Sequence, residues 1–508
     1  MENAADPLLD ERLDPSHSKP NNGDDTAKHQ KGFTMASDDL IHSSATALVA
    51  RLAKGEITPL DLLDALEPRI AEVDPQVNAL PTLCFERARD HAKRLMAKPV
   101  SERGLLQGMP VAIKDLSNVA GVRSTQGSPI FADLIPDTSD VMVEHIEAEG
   151  GIVYAKSNTP EFGAGANTFN EVFGATLNPY DTRMSAAGSS GGAAVALATG
   201  MAWLAQGSDM GGSLRNPASF NNIVGLRPTP GRVAHTRGGR LDSSLGVEGP
   251  MARNVEDLAL FLDAMSGDDP RDPISKPRPA IPFLTSTRSG KTPKRVAYSP
   301  DLGGITPVDP EVVAITRHAA EQWAKAGIIV EEAHPDVHDA YEIFQTIRAE
   351  GFAIGMAGLL RDHRDQLKPE VIWNIEKGLA LSVADIAKAE TARTALMERV
   401  ATFFQTYDCL LCPATITPPF PVGERYLKQC NGVTFNSYVD WLLIVGVATM
   451  AGCPALSLPC GFTQSGLPVG LQMIAPSNGD ASLLASAHHL ESVLRIDTVT
   501  PIRPRVRT

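Results

Sequence analysis

The sequence predicts an α/β fold, organised as one large domain around a parallel or mixed sheet. Short apolar runs such as 109–113 and 151–155 alternate with segments of helical periodicity, a pattern typical of helices that cover a central sheet. The same alternation resumes at residue 295 and continues to about residue 476. No internal repeat divides the chain, so we expect one continuous core rather than two domains.

The composition of the 508-residue chain is that of a globular protein, with 43% hydrophobic and 21% charged residues. The formal net charge of −14 argues against a general nucleic-acid-binding role, because such proteins present a basic face. The sequence contains no run of about 18 uninterrupted apolar residues, so we expect no membrane-spanning helix. The acidic, polar N-terminus lacks the apolar region of a secretory signal. We therefore expect a cytoplasmic protein without nucleic-acid or membrane partners.

The cysteines and histidines do not show the spacing of a disulfide framework or a metal site. Cys409 and Cys412 are spaced as CxxC, but they lie in an apolar run that predicts a buried strand. No second CxxC or Cys/His pair is near them, and the histidines show no HExxH spacing. We expect core cysteines in a reduced protein that holds no metal and no cofactor.

The chain is predicted to begin with a disordered leader and to continue in helices. Residues 1–36 are polar and poor in apolar side chains, which indicates disorder. A helix ends at Gly55, and the next begins at Thr58 and Pro59, which are typical N-cap and first-turn residues. Pro68 predicts a kink in this second helix.

We assign residues 37–500 to the folded domain and 501–508 to a tail. The segment 268–294 begins with a proline-rich stretch and is interpreted as an exposed linker loop. The segment 335–450 is interpreted as a variable, mostly helical region. Further strands are predicted at 223–227, 295–299, 328–332, 410–413, 455–459 and 469–474, and further helices at 85–96, 141–149 and 309–326.

The stretch from Ser185 to Pro217 carries the chemistry that the sequence predicts. Ser189 and Ser213 both lie in glycine-rich segments, where the backbone can turn tightly and approach a ligand closely. Between them, 191–199 predicts a short helix whose N-terminus, next to Ser189, favours negative charge. Ser213 follows a Gly-Gly turn whose N–H groups can converge on an oxyanion. This layout is typical of acyl transfer by a serine.

Lys114 is the residue that we expect to activate a serine. Taken alone, a lysine at the end of an apolar strand is most often a solvated charge or an ion-pair partner. Here it accompanies two serines in glycine-rich turns, and no histidine motif is present for the same task. A lysine acts as a base only when neutral, so its ordinary pKa of about 10.4 has to fall by roughly three units. Burial beneath the strand 109–113 would lower the pKa in this way.

Two short motifs offer alternative interpretations. Gly188–Gly192 matches GxSxG, which would make Ser190 the nucleophile of an α/β-hydrolase. That motif requires a strand that leads into the serine, whereas residues 180–187 have the composition of a loop. Ser289–Thr292 resembles the end of a phosphate-binding loop, but Thr285 stands where the earlier glycine is needed. We interpret that segment as part of the linker.

Together these motifs resemble the amidase signature family. The resemblance extends from about residue 38 to 495, and the serine spacing agrees with that of the family. The matching segments are 108–115, 155–162, 188–192, 207–215, 451–461 and 466–472.

The resemblance implies a Ser–cis-Ser–Lys triad on a mixed, many-stranded sheet covered by helices. By motif position, Ser213 is the nucleophile, Ser189 is the bridging serine after a cis peptide bond, and Lys114 is the base. Phe162 and Gly163 are implied to border the substrate. The oxyanion hole is implied to consist of the backbone N–H groups of Met210, Gly211, Gly212 and Ser213.

The sequence departs from the family pattern beside these residues without removing a catalytic side chain. The usual Pro-Gly-Gly is Ala186-Ala187-Gly188, the usual threonine before Asp209 is Ser208, and Met210 precedes Gly211. Met210 is adjacent to the nucleophile turn, so we expect it to alter the acyl pocket.

We therefore expect an enzyme, an amidase that hydrolyses C–N bonds of small soluble amides through an acyl-enzyme on Ser213. Aromatic residues in 335–450 favour aryl or apolar substrates, although most of these side chains are expected in helix cores. They are Phe344, Phe352, Trp373, Phe403, Phe404, Tyr438 and Trp441. Carbamates or esters would follow the same path.

Two other functions stay open at this point. One is the glutamine-hydrolysing subunit of a tRNA amidotransferase, which would need partner chains. The other is a catalytically inactive binding or scaffold relative. The expected partners of the amidase are an amide substrate and water. The sequence does not specify an oligomeric state, and a homodimer is compatible with it.

Overall fold

The computed structural model describes residues 38–235, 243–496 and 499–507. Within these ranges, eleven strands form one mixed sheet, and two pairs of two-residue strands lie outside it. The strands are β1 Thr82–Leu83, β2 Pro110–Lys114, β3 Ile152–Ser157, β4 Phe169–Asn170, β5 Gly174–Ala175, β6 Leu204–Asp209, β7 Val224–Arg227, β8 Val247–Ala252, β9 Arg295–Tyr298, β10 Ile329–Glu332, β11 Cys409–Pro413, β12 Gln429–Cys430, β13 Val433–Thr434, β14 Ala455–Phe462 and β15 Pro468–Ile474.

Helices connect the strands and pack against the sheet. They are α1 Ala45–Ala53, α2 Pro59–Val73, α3 Phe85–Met96, α4 Val141–Ala148, α5 Gly191–Ala198, α6 Arg215–Phe220, α7 Val255–Met265, α8 Phe283–Thr287, α9 Pro310–Lys325, α10 Ala340–His363, α11 Pro369–Leu379, α12 Val383–Phe403, α13 Leu443–Met450 and α14 Asp480–Leu494. The predicted α/β fold with one mixed sheet in a single large domain is confirmed. No helix among the described residues is long and apolar enough to span a bilayer.

The sheet order is β1-β3-β2-β6-β8-β7-β14-β15-β11-β9-β10. Strands β3, β2 and β6 are mutually parallel, and β11, β9 and β10 form a second parallel group at the other end. The strands between these groups are antiparallel. Because β2 and β6 run side by side in the same direction, the residues at their C-terminal ends lie at one edge of the sheet.

Local sequence explains how the elements near this edge form. All five residues of β2 are buried, as expected for a strand covered on both faces. Helix α5 is rich in glycine and alanine and all its residues are buried, so it can pack closely on the sheet. Helix α2 begins with the capping box of Thr58 and Asp61, and it continues through Pro68 to Val73.

Several elements differ from the sequence-based expectations. Strands β6 and β8 were not predicted, because both contain glycine and polar residues that interrupt an apolar pattern. Helix α7 was not predicted either. The segment 268–294 contains the short helix α8, whose N-terminal amides donate to the buried Asp263 carboxylate. The described part of the predicted tail, residues 501–507, contacts the domain, since Ile502 N–H donates to the Ala198 carbonyl at 2.8 Å. The predicted leader 1–36 lies outside the described residues.

The cysteines that form the CxxC spacing are core residues. Cys409 and Cys412 are buried in β11, and both thiols are free. Burial raises the pKa of the Cys412 thiol to about 12, which keeps it protonated near neutral pH. Among the described residues, no group of three or more His, Cys, Asp or Glu side chains is arranged to hold a metal ion.

Candidate active site

A cavity of about 240 Å³ lies beside the C-terminal end of β6. It brings together Ser189, Ser213 and the adjacent pair Phe162 and Gly163, which come from three separate segments of the sequence. The remaining wall residues come from the loops after β2 and before β8, from the end of β6 and the turn that follows it, from the start of β8 and from the segment 335–450. They include Leu116, Ser208, Met210, Gly211, His235, Val247, Glu248, Phe344, Arg348, Phe352, Tyr438 and Leu442.

Lys114 lies under this cavity, at the end of β2. Its side chain is completely buried. Its Nζ lies 2.7 Å from Ser189 Oγ and 3.0 Å from both Ser190 Oγ and Ser208 Oγ. The Lys114 backbone N–H donates to Gln206 Oε1 at 2.9 Å, which fixes the lysine to the neighbouring strand β6. We call Lys114, Ser189, Ser190, Ser208 and Gln206 the polar floor.

Burial lowers the pKa of Lys114 to about 7, and the negative charges of Glu248 and Asp209 oppose this shift without reversing it. Hydroxyl oxygens surround the amine, and no carboxylate is recorded within ion-pair distance of it in the described structure. Three hydroxyl neighbours can form hydrogen bonds with Lys114 Nζ in either of its protonation states. An ammonium donates to three oxygens, whereas a neutral amine donates to two and accepts from the third. Lys114 is therefore able to exchange a proton near neutral pH.

Ser189 is held between a turn and a helix. Helix α5 begins at Gly191, with Ser190 at the N-cap position, so Ser189 directly precedes the cap. The peptide bond between Gly188 and Ser189 is cis, as the family resemblance implies. Thr168 Oγ1 fixes both sides of this turn, because it donates to the Ala187 carbonyl at 2.7 Å and accepts the Gly191 N–H at 3.2 Å.

Ser213 stands on the turn that follows β6. Gly212 has a positive φ of 89°, and a Cβ at this position would lie 2.6 Å from Asn216 Oδ1 and from Val445 Cγ2. Only glycine fits this position without a shift of its neighbours. The Gly212 N–H donates to Asp209 Oδ1 at 3.1 Å, so it is already engaged. For the N–H groups of Gly211 and Ser213, the described structure records no acceptor.

The implied oxyanion hole is therefore changed at one position. The resemblance assigned four N–H groups, and in this conformation Gly212 directs its N–H into the protein, towards Asp209. Met210 and Gly211 line the cavity together with Ser213. These three residues are the candidates that can present N–H groups to a bound carbonyl oxygen.

A buried ion network supports the serine turn from below. Arg215 donates from Nε and Nη2 to the Asp209 carboxylate at 3.0 and 2.8 Å, and Arg227 is 3.5 Å from the same carboxylate. Burial alone would raise the pKa of Asp209, but the two guanidinium groups outweigh it and hold the pKa well below its usual range. Arg215 also donates to the Val445 carbonyl at 2.8 Å, which ties the turn to helix α13.

Phe162 and Gly163 form part of the opposite side of the cavity. Both have positive φ angles, 48° and 70°. A Cβ on Gly163 would lie 3.0 Å from Leu116 Cδ1 and 3.3 Å from Ser189 Oγ, so glycine keeps the approach to that hydroxyl open. Phe162 packs edge-on against Phe131, with ring centroids 6.1 Å apart.

The variable segment contributes a second set of cavity residues. Three of the seven aromatic residues named from the sequence line the cavity, namely Phe344, Phe352 and Tyr438. The other four pack elsewhere: Trp373 against Tyr438, Trp441 against Phe420, and Phe403 and Phe404 against each other. We call Phe344, Arg348, Phe352, Tyr438 and Leu442 the helical wall.

The sequence interpretation missed several residues of this site. Ser190 and Ser208 were not assigned as neighbours of the lysine, although the substitution of the family threonine by Ser208 was a signal for that position. Arg348 and Glu248 were missed because isolated charged residues have no recognisable motif.

The two alternative motifs do not form sites in the described structure. Ser190 Oγ is buried beside Lys114 and does not line the cavity, and no strand leads into it. Ser289–Thr292 follows helix α8 on the exposed side of the domain.

The fold and this site define the class of the protein: it is an amidase signature enzyme. The family model described as Amidase matches residues 61–484, and the chain belongs to this family.

Curated relatives of this chain include an acylamidase and subunits of amidotransferases. An acylamidase from Rhodococcus erythropolis is 33% identical over 464 residues, which cover 90% of this chain and 97% of that protein. A glutamyl-tRNA(Gln) amidotransferase subunit from Moorella thermoacetica is 34% identical over 479 residues, which cover 89% and 97%.

Solved structures support the assignment. A bacterial aryl acylamidase of the amidase signature family matches with a TM-score of 0.82 and 26% identity, covering 91% of this chain and 99% of that one. A 6-aminohexanoate cyclic dimer hydrolase, solved with substrate, also matches with a TM-score of 0.82 and 26% identity, covering 92% and 99%. The chain is thus an amide hydrolase that acts on C–N bonds.

Proposed function

We propose that this chain hydrolyses amides through an acyl-enzyme on Ser213, with Ser189 as proton relay and Lys114 as base. The observation that carries the proposal is the environment of Lys114. Its Nζ lies 2.7 Å from Ser189 Oγ in a fully buried site, and its pKa is lowered to about 7. A base with this pKa is half neutral near neutral pH, which is optimal for proton transfer.

The proposed steps move one proton inward and return it. Neutral Lys114 takes the proton of Ser189 Oγ while Ser189 takes the proton of Ser213 Oγ. The Ser213 oxygen then bonds to the amide carbon. The C–N bond breaks as the amine receives the proton back through the same relay, and water subsequently cleaves the ester to Ser213. N–H groups of Met210, Gly211 and Ser213 stabilise the negative oxygen of each tetrahedral intermediate.

An inactive binding relative fits this site less well. Burying a lysine among hydroxyl groups costs folding free energy, because the ammonium loses its hydration without gaining a carboxylate partner. A protein that only binds a ligand gains nothing from that arrangement. A base that must lose its proton near neutral pH requires it.

We propose small aryl or otherwise apolar amides as the substrate class. Support comes from the rings of Phe162, Phe344 and Phe352, which line a cavity of about 240 Å³, and from the acylamidase relatives. Aromatic walls contribute through buried area and ring contacts. Carbamates and aryl esters are expected to react along the same path.

One observation favours the alternative function, the glutamine-hydrolysing subunit of a tRNA amidotransferase. Several curated relatives belong to glutamyl-tRNA(Gln) amidotransferases, at 34% identity in one case. Against it, the net charge of −14 does not favour tRNA in this chain. We therefore propose a free-standing enzyme. We also propose that it is cytoplasmic, supported by its six free cysteines.

The test of the nucleophile uses an acylating or phosphonylating inhibitor. Peptide mass spectrometry is expected to find the adduct on Ser213. Ser213→Ala is expected to abolish both the adduct and hydrolysis while the melting temperature stays close to that of the wild type. An adduct on Ser190 would overturn the assignment and restore the hydrolase motif.

The test of the substrate class compares kcat/KM of the purified single chain for acetanilide, an aryl carbamate, acetamide and glutamine. We expect the aryl substrates to be hydrolysed fastest. A preference for glutamine, or activity only with added partner chains, would favour the amidotransferase function.

A further inference from the structure

Arg348, on helix α10, is a buried cation in the wall of the cavity that contains Ser213. The residue is only 3% exposed. Its Nη2 donates to Gln345 Oε1 at 3.1 Å. Its Nε and Nη1 are buried and have no hydrogen-bond partner among the described residues. Buried N–H groups of a charged side chain nearly always have partners, so this vacancy needs a physical explanation.

The surroundings do not neutralise the charge of Arg348. Lys377 adds a second cation, since its Nζ donates to the same Gln345 Oε1 at 2.7 Å. The acid that acts on both cations is Asp440, and its carboxylate already accepts from Tyr341 and Ser437. Burial lowers the pKa of Arg348, yet a guanidinium remains protonated in proteins. Arg348 and Lys377 thus give the region behind the helical wall two positive charges against the one negative charge of Asp440.

Aromatic rings cover the guanidinium without satisfying its donors. Arg348 Cζ lies 5.2 Å from the ring centroid of Trp373 and 5.9 Å from that of Phe352. Cation–π contacts of this kind stabilise the charge and fix its orientation. They do not provide an acceptor for N–H groups that point along the plane of the guanidinium.

The two acidic residues of the cavity, Asp209 and Glu248, are in the opposite situation. The Asp209 carboxylate accepts from Arg215 and from the Gly212 N–H. Glu248 accepts from Gln206 Nε2 with one oxygen, and its other oxygen is 3.2 Å from His235 Nδ1. Both carboxylates thus have partners within the protein, whereas two N–H donors of Arg348 have none among the described residues. This asymmetry selects an anionic ligand over a cationic one.

We propose that Arg348 binds a carboxylate of the substrate, so that the preferred substrates are amides that carry an acidic group as well as an apolar or aryl part. The inference rests on the proposed amidase function and specifies its substrate class. A carboxylate oxygen accepts a charge-assisted hydrogen bond from a guanidinium N–H, and the vacant Nε and Nη1, which lie on different edges of the guanidinium plane, can each donate one. The acid belongs either to the acyl part or to the amine part of the substrate, and the experiment distinguishes the two.

The experiment measures kcat/KM for two pairs of nearly isosteric substrates by the release of the arylamine. For the acyl part, N-phenylsuccinamate is compared with 4-methylpentananilide, in which an isopropyl group replaces the carboxylate. For the amine part, 4-acetamidobenzoate is compared with 4-nitroacetanilide. In one of the pairs we expect the acid to react about tenfold faster or more, mainly through KM, because a hydrogen bond to a charged group gives discrimination of that size.

Arg348→Gln tests whether this preference arises at Arg348. The ratio of rates within the preferred pair is expected to fall to about one, and the ratio is independent of the folded fraction. Lys377→Gln is the matched control. It removes a neighbouring cation that does not line the cavity, and it is expected to keep most of the preference.

Three results would overturn the proposal, and they are distinct from a failure of the amidase function. The first is a wild-type enzyme that hydrolyses the neutral amides at least as fast as both acids. The second is an unchanged ratio in Arg348→Gln. The third is an equal loss in Lys377→Gln, which would indicate the general electrostatic field instead of a contact. If none of the four amides is hydrolysed, the proposed function itself is wrong.

Discussion

The polar floor lies under the cavity and the helical wall lines it, and the two regions are built differently. In the floor, Lys114 and Gln206 project from adjacent strands and are tied to each other, and the amine has three hydroxyl neighbours. In the wall, Phe344 and Arg348 project from one long helix, and two donors of Arg348 are vacant.

The difference matches the proposed roles, which are proton transfer for the floor and substrate recognition for the wall. The floor is complete within the protein, because a base must be held in one geometry and one electrostatic environment before the substrate arrives. The wall is incomplete without a ligand, because unpaired donors and rings gain their partners only on binding. Substitutions in the floor are therefore expected to change kcat for every substrate, whereas substitutions in the wall are expected to change the ranking of substrates.

The largest effect within this comparison is expected for Lys114→Met. Methionine retains the volume and removes the base, so kcat should fall about a hundredfold or more for all amides. In the wild type, kcat/KM is expected to rise with pH through an apparent pKa near 7, the value that burial imposes on Lys114, because only the neutral amine accepts a proton. The variant should lack this acidic limb. A pH–rate profile of the same shape in the variant would exclude Lys114 as the base.

The stability of the same variant provides an independent check. Burial lowers the pKa of Lys114 from 10.5 to about 7, so between these pH values the unfolded chain binds the proton that the folded chain releases. The wild-type free energy of unfolding should therefore gain a contribution as pH rises through this window, and the contribution is absent below it. Urea titrations at several pH values are expected to show this increase in the wild type and not in Lys114→Met.

A smaller effect is expected for Ser208→Ala. The substitution removes one of the three oxygens around Lys114 Nζ, at 3.0 Å, and leaves an ammonium proton without an acceptor. We expect kcat to fall about tenfold and the acidic limb to move to lower pH, since the charged form loses more than the neutral form. Ser208→Thr retains the hydroxyl and should restore both. If the alanine variant lowers kcat with an unshifted limb, Ser208 does not help to solvate the ammonium.

The two regions also differ in how far the sequence predicts them. Strand β2 with Lys114, helix α5 and the glycine turn before Ser213 were predicted because each is a local pattern of a few residues. Strand β6 was missed because its polar residues, Gln206 and Ser208, point to partners on neighbouring strands that a local pattern does not contain.

The wall could not be predicted at the level of single residues. Helix α10 carries buried and exposed apolar residues on several sides, so its sequence does not indicate which side chains face the cavity. Nothing in the local sequence distinguishes Arg348 from the other arginines, and only the fold places it in the wall of the cavity that Ser213 also lines. The interrupted oxyanion hole is a similar case, because the engagement of the Gly212 N–H depends on the position of the Asp209 carboxylate.

The smallest effect, and the one most specific to the wall, is expected for Phe344→Leu. A Cβ on Gly211 would lie 3.2 Å from Phe344 Cζ, so the ring packs directly on the turn that precedes Ser213. Leucine shortens this side chain and opens space beside the reacting carbonyl, while it keeps most of the contact with Gly446 that a smaller residue would lose. Across anilides of increasing acyl length, we expect kcat/KM to fall a few-fold for acetanilide and to rise relative to it for hexananilide.

Phe403→Leu is the matched control, because Phe403 lies in the same variable segment and packs against Phe404 and Tyr407, away from the cavity. If the relative kcat/KM of the anilides changes by a similar amount in both variants, the change results from altered protein stability and not from the loss of the Phe344 ring. No shift in Phe344→Leu would place the acyl group elsewhere in the cavity and leave the ring as a support for the serine turn.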